Sequence, residues 1–416
     1  MTRKKLGGPL LGLALAGCMV LMLVYPAGTL AAALRGLAIW WDVLFPSLFP
    51  FFVISEMLLG FGVVHLFGAL LDPLMRPLFN IPGSGGFVAA MGYVSGYPVG
   101  AKLTAKLREQ QLVTRAEGER LVAFTTSSDP IFLLGAVSVG FFHDASLGLV
   151  LALAHYGSGI IVGLLMSFHG RADKYADPPQ AAAPKADFQQ PRGRLRLALS
   201  SMAEARRRDG RSFGELLKGA IQSSLQLIIV VGGLVVFFNV LMELLTRAGI
   251  MSALFSILGS ALSLAGFPQQ LSAALASGFF EVTIGARSAG EAASSIPLQY
   301  KASAAAFILS WGGLSVHAQV ASILNGTGLR YVPFLAARLV HGLLSAVLLL
   351  VLWKPVTGSG LSAGFSALPA AAGLTSASGP AFAASLVLLG LLLGAALLLS
   401  LLVWLLRSFA RRLQQL

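Results

Sequence analysis

Apolar residues run along this chain in long blocks separated by short polar stretches rich in Lys and Arg. A helix of about 20 apolar residues crosses a bilayer core, so blocks of that length predict membrane spans. Full spans are expected over 6–26, 43–67, 120–142, 146–168, 216–245, 301–325, 331–353 and 383–407. Between them lie segments too short or too mixed to cross simply: 68–80, 84–100, 248–266 and 271–290. Residues 170–214 read as a basic polar connection whose middle, 178–184, is a flexible linker. The uncharged stretch 355–382, rich in Ser, Gly, Ala and Pro, reads as a loop. The predicted class is an all-α polytopic membrane protein of about eight to ten transmembrane helices, two of its segments being re-entrant or broken hairpins.

The pattern repeats. Gly100-Ala101-Lys102 and Gly285-Ala286-Arg287 lie 185 positions apart, and Phe51-Phe52 precedes Phe237-Phe238 by 186. Ala123-Phe124 and Ala306-Phe307 lie 183 apart, as do Gly159 and Gly342. Four landmarks in one order divide the chain into an N-terminal helix and connector (1–42), a first repeat (43–168), a basic linker (169–214), a second repeat (215–353) and a loop with a final helix (354–416). Interrupted segments at matching places in two halves are the sequence mark of a transporter site.

Composition agrees with the pattern. The chain is 56% apolar and 11% charged, with mean hydropathy +0.80, against about 25% charged in soluble domains. The net charge of +13 falls between the hydrophobic blocks, which fits the positive-inside rule rather than nucleic-acid binding. Arg3-Lys4-Lys5, the cations of 102–120, those of 170–214, and Arg407, Arg411 and Arg412 then share the cytoplasmic side, with both termini. Loop 355–382 lies outside. Parity makes 84–100 dip from the inside and 271–290 from the outside, an inverted-topology repeat. The first block, 6–26, is long enough to be an uncleaved span rather than a signal peptide. Cys18 is the only cysteine, so an intrachain disulfide and thiolate metal sites are excluded. No nucleotide-binding, hydrolase or metal motif is present, so neither an enzyme, a cofactor nor a metal is expected.

Four interruptions carry the candidate chemistry. Ser95-Gly96-Tyr97-Pro98-Val99-Gly100-Ala101-Lys102 resists a continuous helix, since interior Pro costs about 3 kcal/mol and Gly about 1 kcal/mol. Thr125 to Pro130 offers four hydroxyls and a carboxylate within a span. Phe280 to Arg287 and Ser310 to His317 are their partners in the second half. Small and hydroxylated residues also serve close helix packing, but symmetric pairs favour a binding site. Ser95, Gly96, Gly100, Lys102, Ser127, Ser128, Arg287 and Ser310 are the candidate substrate-binding residues, with Lys102 and Arg287 as the field for an anion. The tips of the two hairpins should approach each other near the midplane, with Ser127 and Ser310 beside them. Asp129 and Glu281 are candidates to carry a proton or coupling ion, because carboxylates within spans need a partner or a task. Asp129 before Pro130 is equally read as a helix cap. His155, His317 and His341 are read as hydrogen-bonded structure. The expected partners are the lipid bilayer and a small anionic substrate; a homo-oligomer is compatible with the sequence.

The runs Leu44-Phe45-Pro46-Ser47-Leu48-Phe49-Pro50-Phe51-Phe52, Gly92 to Lys102 and Thr125 to Pro130 resemble the YlbJ/SpoVV family of sporulation integral membrane proteins. The resemblance covers nearly the whole chain and implies membership of the wider group with nucleoside-recognition "Gate" domains, shared with concentrative nucleoside transporters and ferrous-iron permeases. It further implies export of dipicolinic acid from the mother cell across the outer forespore membrane. A nucleoside or cation transporter, and a non-transport scaffold for spore maturation, are the alternatives. A site centred on Lys102 and Arg287 favours the anion, and one centred on Asp129 and Glu281 favours the nucleoside or cation.

Overall fold

The computed structural model describes residues 7–170 and 191–358, and every regular element in them is helical. In order these are α1 (Gly7–Val24), α2 (Pro26–Ala38), α3 (Phe45–Gly60), α4 (Val63–Phe79), α5 (Ser84–Ser95), α6 (Tyr97–Glu109), α7 (Arg115–Thr125) and α8 (Leu147–Met166). After the undescribed part of the linker come α9 (Pro191–Asp209), α10 (Phe213–Arg247), α11 (Ile250–Leu264), α12 (Ser272–Phe280), α13 (Val282–Gly290), α14 (Leu298–Trp311), α15 (Gly313–Leu324) and α16 (Tyr331–Thr357). Ile39–Leu44 and Ile131–Phe141 widen to π-helical hydrogen bonding. The expected linker 178–184, loop 355–382 beyond residue 358 and span 383–407 lie outside the described residues.

Among the described residues four helical stretches are long and apolar enough to cross a membrane: Leu147–Met166, Phe213–Arg247, Leu298–Leu324 (α14 and α15 together) and Tyr331–Thr357. Two bent pairs bring the number to six, one bending by 105° between α1 and α2 and one by 82° between α3 and α4. One expected span therefore differs. The block 43–67 is not one helix, because Gly62 takes φ +77 and turns the chain; residues 63–67 belong to α4. The block 120–142 is divided as its interruption at Thr125 to Pro130 predicts, between α7 and the π-helical 131–141, with 126–129 non-helical. Part of the basic connection is also helix rather than loop: α9 packs on α4, and Ala198 is buried there.

The long helices show the inverted dressing of a membrane protein. On α10 and α16, Ile229, Phe237, Leu343, Val347 and Val351 are exposed, while Ser224, Asn239, Arg338, His341 and Ser345 are buried. Apolar side chains can face lipid at no cost, whereas polar groups must find partners inside. Both halves contribute to one core, in which Ala101, Val122 and Leu151 share a cluster with Ala286, Ile308 and Phe334.

Glycines set the closest approaches. A Cβ on Gly285 would lie 2.2 Å from the Gly278 Cα, so α12 and α13 fold against each other backbone to backbone. Gly285→Ala should cost about 1–3 kcal/mol by overpacking. Gly233→Ala, with nothing within 4 Å, should gain about 0.5–1 kcal/mol from helix propensity. Melting temperatures of the two purified variants on the same side of wild type would contradict this packing.

Candidate functional site

The four interruptions end their helices by two local devices, a positive-φ glycine or a capping carboxylate. Gly96 stands at φ 87, ψ −177, a conformation costly for any other residue, and separates α5 from α6. Pro98 then falls in the first turn of α6, where its missing N–H is harmless. Gly100 does not break the chain. It lets α6 press on the second break, since a Cβ there would sit 2.4 Å from the Thr125 carbonyl. In that second break the Thr125 and Thr126 hydroxyls donate back to Leu121 and Val122 carbonyls, both at 2.8 Å. The Asp129 carboxylate then caps the next half-helix, accepting from Phe132 N–H at 2.9 Å. Glu281 does the same between α12 and α13, accepting from Ile284 N–H at 2.8 Å. Gly312 and Gly313, at φ 88 and 72, separate α14 from α15.

These breaks meet. A Cβ on Gly96 would touch Asp129 Oδ2 at 3.1 Å, and one on Gly313 would lie 2.9 Å from the Phe280 carbonyl. Tyr97 donates its hydroxyl to the Leu309 carbonyl at 2.7 Å, tying the first break to the fourth. Between the tips lies a cavity of about 40 Å³, lined by Tyr97, Asp129, Glu281, Thr283, Ser315 and Gln319 among others. A water needs roughly 10–15 Å³ of such space, so the cavity admits a few waters and no aromatic solute without wall movement.

Two buried side chains hold the breaks from behind. His155, on α8, meets Ser127 Oγ at 2.8 Å and accepts from Ser128 N–H at 3.1 Å through Nε2, and meets Ser310 Oγ at 2.7 Å through Nδ1. A backbone N–H only donates, so Nε2 is the bare nitrogen and Nδ1–H donates to Ser310. Arg338, wholly buried on α16, donates to the carbonyls of Thr126, Leu309 and Trp311 and to His341 Nδ1. His341 in turn donates through Nε2 to the His155 carbonyl at 2.9 Å and stacks on the His155 ring. No carboxylate among the described residues pairs with Arg338. Its counter-charge is the carbonyl ends of α7 and α14, each carrying about half a negative charge. His155 and Arg338 are 183 positions apart, the same spacing as Ser127 and Ser310.

The expected site residues thus divide. Asp129 and Glu281 line the cavity, and Gly96 is at a tip. Ser127 and Ser310 come together through His155. Ser95 and Ser128 are buried, and their hydroxyls have no hydrogen-bond partner among the described residues. Lys102 does not line the cavity: it pairs with Glu56 at 2.8 Å and donates to the Ser223 carbonyl, with Lys106 on the same carboxylate. Arg287 is 59% exposed, lies over the Phe141 ring at 5.2 Å and reaches Glu291 at 3.9 Å. The two cations expected to converge therefore face away from the cavity, each drawn to a nearer partner. His155 was readable only as structure and Arg338 was unmarked. The available signals were an arginine inside an apolar block, which is costly in a membrane, and its spacing from His155.

Comparison with known proteins agrees with a membrane role. The family model "Gate: Nucleoside recognition" matches residues 42–142, which hold the first two breaks. The sporulation integral membrane protein YlbJ of Bacillus subtilis (strain 168) is 44% identical over 332 residues, covering 80% of this chain and 79% of that protein. No solved structure matches. With this identity over most of both chains, the protein belongs to the YlbJ family of sporulation integral membrane proteins.

Proposed function

We propose that this protein carries a small solute across a membrane during sporulation, with dipicolinate as the solute that the family resemblance favours. The observation that supports it is the meeting of four helix breaks, two from each half, around one cavity. A scaffold has no need of such breaks, whereas a site that opens to alternate sides does. On this reading the halves 43–168 and 215–353 form an inverted repeat, and Ser95, Gly96, Gly100, Ser127, Ser128 and Ser310 stand behind a wall of Tyr97, Asp129, Glu281, Thr283, Ser315 and Gln319. The hydroxyls of Ser95 and Ser128, buried behind that wall, become donors for a carboxylate once the wall moves.

The carboxylates of Asp129 and Glu281 impose a condition. A dianion beside two ionised carboxylates in a water-poor cavity is strongly repelled. Dipicolinate therefore crosses with protons or cations that neutralise the pair. A nucleoside or cation is the second reading, and the cavity wall itself favours it over the anion, since Asp129 and Glu281 line it and Lys102 and Arg287 do not; the match to the nucleoside-recognition model supports it too.

Purified protein in vesicles should take up labelled dipicolinate faster than protein-free vesicles, with labelled nucleosides as the comparison. Saturable nucleoside uptake without dipicolinate uptake would replace the first reading with the second. Movement of neither would remove transport.

A further inference from the structure

Away from the cavity, one polar knot joins the two halves. Glu119, on α7, has a fully buried carboxylate that accepts from Arg330 N–H at 3.0 Å, from Arg330 Nε at 2.8 Å and from Arg330 Nη2 at 2.8 Å. His169 Nε2 meets the same carboxylate at 2.7 Å. Arg120 next to it donates to the carbonyls of His169 and Asn80. The ends of α4 and α8 and the link before α16 are thus gathered on the start of α7. Leu329 seals the contact, since a Cβ on Gly118 would lie 2.8 Å from its Cδ2.

The position of the knot matters more than its strength. From Glu119, α7 runs about 9 Å to the second break at 1.5 Å per residue, and Asp129 follows in the cavity wall. From Arg330, the chain leads back through α15, which carries Ser315 and Gln319 in the same wall. Glu119, midway along α7, and Arg330, at the start of α16, therefore clamp two stretches of chain, one from each half, that lead into the cavity wall. At the other end of the π-helical 131–141 the halves meet differently. There Gly290 rests on the Phe141 carbonyl, while Arg287 pairs only at 3.9 Å and within its own half, with Glu291, both side chains being exposed.

We propose that the Glu119–Arg330 pair is a lock that holds the solute path shut at its own end, and that opening toward that end requires the pair to part. The proposal rests on the transport reading, and its test is chosen to need no solute. In a Cys18→Ala background, Ser315→Cys places a thiol in the cavity wall, where the native side chain is 1% exposed. Full-length protein in oriented vesicles is treated with a membrane-impermeant maleimide from each face in turn. Arg330→Gln and Glu119→Gln should each raise labelling at least fivefold from the face bearing residues 80, 169 and 330, and not from the opposite face. Arg330→Lys, which keeps the charge without the fork, should lie between.

Arg330 is half exposed, so its variants carry the test if Glu119→Gln does not insert. Unchanged labelling with a lowered melting temperature would make the pair a structural staple and overturn the lock. Equal acceleration from both faces would mean general loosening and would overturn it too. Vesicles that move neither dipicolinate nor nucleosides would count against the transport reading, and the sidedness of labelling would still decide the lock.

Discussion

Asp129→Asn and Glu281→Gln are each expected to lower solute transport by roughly tenfold to over a hundredfold while leaving the melting temperature nearly unchanged. The size follows from losing an interaction with a charged group, worth about 1.5–3 kcal/mol. The selectivity follows from the capping geometry. Asp129 accepts from Phe132 N–H and Glu281 from Ile284 N–H, and the amide oxygens of Asn and Gln can accept the same bonds. These variants therefore keep the caps and remove only the ability to ionise. Asp129→Ala and Glu281→Ala remove both, and should also cost about 1 kcal/mol in stability. Initial uptake rates in vesicles, with melting curves of the same preparations, separate the two roles. Wild-type uptake by the Asn and Gln variants would leave the carboxylates as caps alone, and proton or cation coupling would have to be sought elsewhere.

The same two residues show how far the sequence could be read. Their place at breaks was legible because Gly96, Pro130, and Gly312-Gly313 punctuate otherwise apolar blocks, and a helix cannot run through them unmarked. The break at Glu281 was legible only through its partner 185 positions away. What the sequence did not reveal was the direction of the cations. Lys102 follows Gly-Ala in both reading and structure, but its charge is taken by Glu56, an acid from another helix 46 residues earlier. Pairing of that kind is a tertiary choice and has no local pattern. The bend after Gly60 was missed for a related reason: hydropathy continues through Gly62, and only the backbone's left-handed turn ends the span. The helix 191–209 was hidden by its charge, which reads as loop until Ala198 is seen against α4.

Arg338→Met should produce the largest loss of stability of any single change in the described core. The Thr126 and Trp311 carbonyls lose the arginine in a place where neither lipid nor water replaces it, and the Leu309 carbonyl keeps only Tyr97. An orphaned buried acceptor costs about 1–3 kcal/mol, and the half-charges of two helix ends lose their neutralising cation. A methionine of similar length recovers some packing, so a net loss of about 3–5 kcal/mol is expected, a fall on the order of 10 °C. Arg338→Lys keeps the charge but has one nitrogen for carbonyls on two helices, and should recover less than half of the loss. His155→Ala should cost less, because the Ser127 and Ser310 hydroxyls can turn to other acceptors, whereas a carbonyl fixed in a helix end cannot. Thermal melting of the three variants in detergent ranks them. Arg338→Met melting within about 2 °C of wild type would mean that each break is held by its own cap. The two halves would then not be pinned together through this arginine, and the breaks would be free to move separately.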